Sequence, residues 1–192
     1  MGDVFLGDIG VVHNDIKAEN ILLRCDWACA AGGAGAPTMV ARAVLADFSK
    51  AARLPARLAR TTGCIEAPEI VRADAAADAG ADAEHGSWCD VWSIGLLVDH
   101  VVCGSRAFSR GRELREAWGD YPDSFAGVVC DRVSASALRR YGVRDVACEL
   151  SAIVRDCLRL QGHLRPSPTA LCARLLACAQ PAAVCTRHRA PP

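Results

Sequence analysis

One short window of polar residues holds the first candidates for chemistry. Residues 13–20 read His-Asn-Asp-Ile-Lys-Ala-Glu-Asn, with the spacing H-x-D-x-K-x-x-N. They contain both asparagines and one of the two lysines of a 192-residue chain that is otherwise rich in alanine and arginine. Chance rarely gathers such scarce residues in one window. A carboxylate, an ammonium group and an amide at this spacing can accept a proton, offset negative charge and bind a hard cation.

Four further motifs follow in chain order. Residues 47–49 read Asp-Phe-Ser, residues 62–69 read Thr-Gly-Cys-Ile-Glu-Ala-Pro-Glu, residues 90–95 read Asp-Val-Trp-Ser-Ile-Gly, and residues 163–166 read His-Leu-Arg-Pro. The aspartate that opens an apolar helix is a specific signal, because a buried carboxylate needs hydrogen-bond donors. In this order the five motifs resemble those of the eukaryotic-type protein kinases, and specifically their C-terminal lobe. The resemblance extends from about residue 5 to residue 179.

The resemblance implies a part in phosphoryl transfer for five residues. Asp15 would orient the attacking hydroxyl and accept its proton, and Lys17 would lie over the γ-phosphate of ATP and offset developing charge. Asn20 and Asp47 would bind Mg²⁺. Thr62 would contact Asp15 and Lys17 and help to position the substrate hydroxyl. A lysine two residues after the aspartate resembles the serine/threonine kinases.

Five other residues would support this site structurally. By the same resemblance, His13 would brace the loop and Phe48 would be a packing residue. Asp90 would accept backbone N–H bonds from the loop of residues 13–20. Glu69 and Arg165 would form a buried ion pair.

Two residues depart from the family pattern. Asn14 stands where many kinases carry an arginine that pairs with a phosphate on the activation loop. Because asparagine offers no charged bidentate fork, we expect that phosphorylation of that loop is not the switch here. Ser49 replaces a glycine, and since serine reaches positive φ less easily, we expect less conformational freedom in its loop.

The expected fold is mainly α with a small β-hairpin, like a protein kinase C-lobe without the N-terminal β lobe. The kinase portion would cover residues 1–180. Two short strands, 21–23 and 43–46, would pair across a flexible connection. The segment before the first motif would be a helix end and a turn (1–12). Four segments are expected to be helical: 88–102, 109–118, 146–160 and 169–179. Residues 73–86 would be a low-complexity insertion, and residues 181–192 would be a tail.

The sequence contains no G-x-G-x-x-G loop, and Lys50 follows Asp47, on the wrong side of the motif order for the lysine that binds the α- and β-phosphates. We therefore expect a truncated catalytic domain that is inactive by itself. A non-catalytic, pseudokinase-like binding module or kinase remnant is the alternative. Small-molecule kinases of the aminoglycoside or choline type share H-N-D-x-x-x-x-N, but they generally lack the elements at residues 67–69 and 90–93.

Composition limits the partners and the compartment. The net charge is zero, with 22 basic and 22 acidic residues, so neither nucleic acid nor a membrane surface is indicated. The resemblance to protein kinases implies a protein substrate, ATP and Mg²⁺ instead. The 11 cysteines form no C-x-x-C pair, which favours packing residues in a reducing, intracellular setting over zinc ligands or disulfides. Residues 44–49 and the divergent loop also look similar to kinases of large DNA viruses, herpesviruses in particular; the compartment would then be the host nucleus, the cytoplasm or the virion.

Overall fold

Four α-helices make up most of the described part of the chain. The computed structural model describes Leu6 and residues 9–28, 38–55, 66–70, 86–105 and 122–179. The helices are α1 (Trp88–Cys103), α2 (Pro122–Tyr141), α3 (Arg144–Cys157) and α4 (Pro168–Ala179). Single 3₁₀ turns lie at Ala18–Asn20 and Gly162–Leu164. The fold is mainly α, as expected.

Helix α1 runs through the centre of the core. Val91 and Trp92 are completely buried, and polar residues on other faces of the helix are buried as well. Gly95 allows α1 to approach α3 closely, because a Cβ at residue 95 would lie only 2.7 Å from Cβ of Cys157. A helix that is apolar nearly all round is expected to be buried in this way.

Helix α2 is not among the helices that the sequence pattern leads us to expect. Pro122 occupies its first turn, where a missing N–H has no consequence. Val129, Val133 and Ala137 recur at helical spacing and are buried in the core. The helix ends at Gly142, whose φ of +67° suits glycine and whose N–H donates to the carbonyl of Leu138 at 2.9 Å. The sequence thus contained a signal for the start of this helix, a helical spacing of apolar residues within it, and a glycine that ends it.

Two antiparallel strand pairs lie beside the helices. Strands β2 (Ile21–Ala28) and β3 (Thr38–Leu45) form the expected hairpin, with Ile21 opposite Leu45. The hairpin is longer than expected, because residues 24–28 and 38–42 belong to the strands rather than to a flexible connection. At the other end, Ala46 lies just beyond β3, although it was expected to belong to the strand. The two-residue strands β1 (Val11–Val12) and β4 (Ala52–Arg53) also pair. They are too short to give a periodic signal, and β1 corrects the expectation of only a turn before residue 13.

The other predicted helices are confirmed to within three residues at each end. The expected helix 109–118, residues 73–85 of the low-complexity insertion and the tail 181–192 lie outside the described residues. None of the described helices has the length and apolar character needed to cross a bilayer.

Three cysteines contribute to the core. Cys89, Cys130 and Cys157 are buried among apolar side chains. Burial raises the pKa of Cys89 and Cys130, and it raises the pKa of Cys157 to about 12. A thiol that stays protonated is a poor nucleophile and a poor metal ligand, so these three are packing residues, as the composition suggested.

Candidate active site

The side chain of Asp90 fastens the loop of residues 13–20 to the start of α1. Its Oδ2 accepts the backbone N–H of His13 at 2.7 Å, and its Oδ1 accepts the backbone N–H of Asn14 at 2.8 Å. Only 1% of Asp90 is exposed. The backbone bonds expected for this carboxylate are therefore present, and they fix where the loop leaves β1.

Replacing Asp90 with asparagine should destabilise the fold. The amide keeps one acceptor oxygen but turns its NH₂ toward a backbone N–H, which leaves a buried donor unsatisfied at a cost of about 1–3 kcal/mol. Chemical denaturation measures this loss. Asp131→Asn on the exposed face of α2 is the matched control, with an expected change of no more than about 0.5 kcal/mol. Equal unfolding midpoints for the two variants would contradict the role given to Asp90.

Two residues of the site adopt a left-handed backbone. Asn14 and Asp47 both have φ of +62°. Asparagine and aspartate are the residues that tolerate this conformation best after glycine. Asn14 is also buried. Position 14 therefore favours a residue that tolerates positive φ. This backbone requirement comes in addition to the lack of an arginine charge, which was already evident from the sequence.

The ring of His13 joins the loop to the segment that follows β3. Its Nδ1 accepts the backbone N–H of Asp15 at 3.3 Å, so Nε2 carries the proton that is shared with the carbonyl of Ala46 at 3.0 Å. The ring of Phe48 meets the imidazole edge-to-face, with centroids 4.8 Å apart. His13 therefore braces the loop, and Phe48, which is half exposed, packs against it.

Asp15, Lys17 and Asn20 form a hydrogen-bonded group. The ammonium of Lys17 lies 2.6 Å from Oδ2 of Asp15. The amide nitrogen of Asn20 donates to the carbonyl of Asp15 at 2.8 Å and reaches the same Oδ2 at 3.2 Å. Within the part of the chain that the structure describes, Oδ1 of Asp15 is buried without a hydrogen-bond partner. This oxygen is the one suited to accept a hydrogen bond from a reacting hydroxyl.

Asp47 lies next to this group. The backbone N–H of Ala46 donates to the carbonyl of Asn20 at 2.9 Å, which brings the two segments together. Oδ1 of Asp47 accepts the hydroxyl of Ser49 at 2.6 Å and the backbone N–H of Ser49 at 3.2 Å. These two bonds lower the pKa of Asp47 below its ordinary value, the hydroxyl more than the N–H, and the positive charge of Lys17 adds to the effect.

Replacing Ser49 with alanine should raise the pKa of Asp47 toward its ordinary value, because the hydroxyl bond is the largest of the effects that lower it. Titration of the carboxyl ¹³C resonances measures the change. Asp156 is the internal control. Burial raises its pKa, but hydrogen bonds from Arg174 and Arg159 more than offset this, and none of these groups involves Ser49. An unchanged Asp47 titration in the alanine variant would show that the hydroxyl bond is absent in solution.

The oxygens that Asn20 and Asp47 leave unbonded are of the chemical kind that a magnesium ion prefers. The amide nitrogen of Asn20 is taken up by Asp15, so its Oδ1 is the atom free to coordinate. Oδ1 of Asp47 receives the bonds from Ser49, which leaves Oδ2. Mg²⁺ is commonly held by one or two protein oxygens together with phosphates and water, so a larger cluster of ligands is unnecessary. Among the described residues no group of three or more potential metal ligands occurs.

Glu69 and Arg165 form the expected ion pair. Nη1 and Nη2 of Arg165 donate to Oε1 and Oε2 of Glu69 at 2.7 and 2.8 Å. The guanidinium also donates to the carbonyls of Trp88 and Arg159, each at 2.8 Å, and lies 5.0 Å from the centre of the Trp92 ring. This pair ties the segment of residues 66–70 to α1 and to the residues that precede α4.

The structure thus brings together nine of the ten residues proposed from the sequence, in two groups. The first group consists of loop residues and the residues beside the loop: His13, Asp15, Lys17, Asn20, Asp47, Phe48 and Asp90. The second group is the pair of Glu69 and Arg165. Thr62 lies outside the described residues. The hydroxyl donor of Ser49 was missed. The signal for it is the Asp-x-Ser spacing, in which a side chain two residues on can close a turn with aspartate.

Comparison with known proteins agrees with this geometry. Residues 4–176 match the protein kinase domain family. A calcium/calmodulin-dependent protein kinase of Emericella nidulans is 30% identical over 118 residues, which cover 58% of this chain and 24% of the fungal protein. A serine/threonine-protein kinase-like protein of Arabidopsis thaliana is 26% identical over 176 residues, or 86% of this chain and 20% of the plant protein. Serine/threonine-protein kinase 33 of Bos taurus is 28% identical over 111 residues, which cover 57% of this chain and 21% of the bovine protein.

In each of these three comparisons the matched part is less than a quarter of the relative's length. The family match nevertheless spans most of the chain and includes every residue of the site described above. The chain belongs to the protein kinase family.

Proposed function

We propose that this chain is the phosphate-transferring part of a serine/threonine protein kinase, which moves the γ-phosphate of ATP to a protein hydroxyl. The observation that carries the proposal is the buried, unpartnered Oδ1 of Asp15, held in place while Lys17 and Asn20 occupy Oδ2. Lys17, two residues after Asp15, supports serine and threonine as the acceptors.

In the proposed reaction Asp15 orients the substrate hydroxyl and takes its proton as the oxygen attacks the γ-phosphorus. The bond from that phosphorus to the β-phosphate oxygen breaks, and ADP leaves. The ammonium of Lys17 stabilises the negative charge that develops on the transferred group. Asn20 and Asp47 would hold Mg²⁺, which neutralises phosphate charge when bound.

The hairpin offers an apolar surface beside these groups. Leu22 and Val44 face each other across β2 and β3, and they are 58% and 53% exposed. Leu22 follows Asn20 by two residues, so the apolar surface adjoins the proposed metal ligand. An exposed apolar pair next to phosphate-handling residues suits the flat ring of a nucleotide base.

We further propose that these 192 residues do not transfer phosphate alone, because they contain no Gly-rich loop to cover the phosphates. The purified chain is mixed with radiolabelled Mg-ATP and a generic protein substrate, with the Asp15→Asn variant as background. Incorporation equal to background is expected, and clear transfer would overturn this part of the proposal. If the coding sequence upstream of Met1 encodes an in-frame Gly-rich loop and a strand lysine, this would support a complete kinase that contains these residues. Detection of phosphoserine and phosphothreonine in the products of that kinase would test the proposed acceptor class.

A non-catalytic binding module is the second candidate, and the missing Gly-rich loop is the observation that favours it. A thermal shift assay separates the two, since a ligand that binds the folded state raises the melting temperature by mass action. Stabilisation by Mg-ATP that disappears in Asp47→Asn supports the kinase. We also propose an intracellular location, from the composition, and an origin in a large DNA virus, from residues 44–49 and the divergent loop. The genomic source of the coding sequence tests the origin.

A further inference from the structure

The turn between α2 and α3 presents an unusual surface. Residues 138–145 are all exposed, and they include three large apolar side chains, Leu138, Tyr141 and Val143, that are between 40% and 46% exposed. We call residues 138–144 the corner patch. Leu138 and Tyr141 are three residues apart on a helix and so lie side by side.

The three arginines of the corner patch have no carboxylate partner among the described residues. Arg139 donates to the hydroxyl of Ser136 at 3.0 Å, and Arg140 donates to the carbonyl of Val101 at 2.8 Å, so both bond to neutral groups. Arg144 forms no salt bridge there. By contrast, the arginines that lie between helices pair with acids: Arg132 with Asp99, Arg165 with Glu69, and Arg174 with both Glu149 and Asp156.

The backbone of the corner patch is held in one shape. The N–H of Gly142 closes α2 on the carbonyl of Leu138 at 2.9 Å, and the N–H of Ala147 bonds to the carbonyl of Val143 at 3.1 Å as α3 begins. The bond from Arg140 to Val101 also joins the patch to α1, where the side chain of Val101 is itself exposed. Its guanidinium and apolar groups are thus presented together on a rigid support.

We propose that the corner patch binds an acidic peptide segment of a partner protein, one in which carboxylates alternate with apolar side chains. Guanidinium forks match carboxylates in a bidentate manner, and the apolar side chains between them need apolar partners. A nucleic acid is disfavoured because phosphate contacts dominate such binding, and the few arginines of the patch can neutralise few phosphates. An anionic membrane is disfavoured because lipid-binding clusters typically hold about 4–8 basic residues. The patch has three, and Asp145 follows directly.

The test uses the 192-residue chain and a fluorescein-labelled peptide, Asp-Glu-Leu-Asp-Glu-Leu-Asp-Glu, in an anisotropy titration without nucleotide. The binding therefore reads out separately from phosphate transfer. We expect saturable binding that weakens as NaCl is raised. The double variant Arg139→Ala/Arg144→Ala should bind about tenfold more weakly, since two charge-assisted contacts are lost. Arg42→Ala/Arg53→Ala, which removes the same charge from exposed strand residues, should bind like the parent.

A second peptide, in which every acid is replaced by its amide, should bind at least about tenfold more weakly. Circular dichroism verifies that the variants fold. Three outcomes would overturn the proposal: no binding of the acidic peptide, equal loss in both double variants, or equal affinity for the amide peptide. Vesicles of phosphatidylcholine with phosphatidylserine, and a single-stranded oligonucleotide, are titrated in parallel. Preferential binding of either, lost in Arg139→Ala/Arg144→Ala, would assign the patch to that partner and reject the peptide.

Discussion

Replacing Arg165 with methionine lowers the free energy of unfolding by about 3–5 kcal/mol, the range found when one member of a buried ion pair is removed. The side chain of Arg165 is fully buried and satisfies both oxygens of Glu69 together with the carbonyls of Trp88 and Arg159. Methionine fills much of the volume but donates no hydrogen bond. A partly buried carboxylate and two carbonyls are then left without these donors.

Urea denaturation, followed by tryptophan fluorescence, measures the loss. Arg174→Met is the matched control, because Arg174 also forms ion pairs, with Glu149 and Asp156, but lies partly exposed on the surface of α4, where such pairs contribute no more than about 1 kcal/mol. Combining Arg165→Met with Glu69→Gln should recover part of the stability, since the charge left behind is removed. If Arg165→Met costs no more than Arg174→Met, the Glu69–Arg165 pair does not stabilise the fold as described.

Replacing Asp15 with asparagine in an active enzyme that contains this chain lowers the turnover number by about 10²–10⁴-fold, the usual contribution of a positioned acid–base group. An amide at this position cannot take a proton from the substrate hydroxyl. The neighbours of Asp15 that hold it in place, Lys17 and Asn20, remain, so the fold should be little affected.

Steady-state kinetics with a peptide substrate measures this effect, and thermal denaturation of the same preparations verifies folding. Asp131→Asn, the same chemical change on the exposed face of α2, should leave turnover unchanged. A variant at Asp15 that keeps more than about a tenth of the turnover would assign proton transfer to another group. A large fall in melting temperature would instead make Asp15 a structural residue.

The side chains with several hydrogen-bond partners were the ones that the sequence predicted well. The partners of Asp90 and Arg165 were predicted from the resemblance to protein kinases. Their burial explains why the prediction succeeded, since a buried carboxylate needs hydrogen-bond donors and a buried guanidinium needs an acid. The Asp-x-Ser spacing permits the contact from Ser49 to Asp47 but does not require it. The contact also depends on the backbone at Asp47, which is left-handed here, and on the rotamer of Ser49, and neither follows from residue type alone.

Helix α2 and the strand pair β1–β4 show two different limits. The signals for α2 were local and readable, from Pro122 to Gly142, whereas residues 11–12 and 52–53 form strands only because the chain returns to the same place. Pairing between segments 40 residues apart is a property of the tertiary fold, since a two-residue strand carries no periodic pattern.

The left-handed backbone at Asn14 determines which side chains this position can hold at low cost. Most residues, including arginine, lose about 1–2 kcal/mol in that conformation, whereas asparagine adopts it far more readily. An arginine there would carry this conformational cost, which asparagine largely avoids. The shape of the loop around Asp15 is then an intrinsic property of the folded chain, held by the backbone N–H groups of His13 and Asn14 that donate to the buried Asp90.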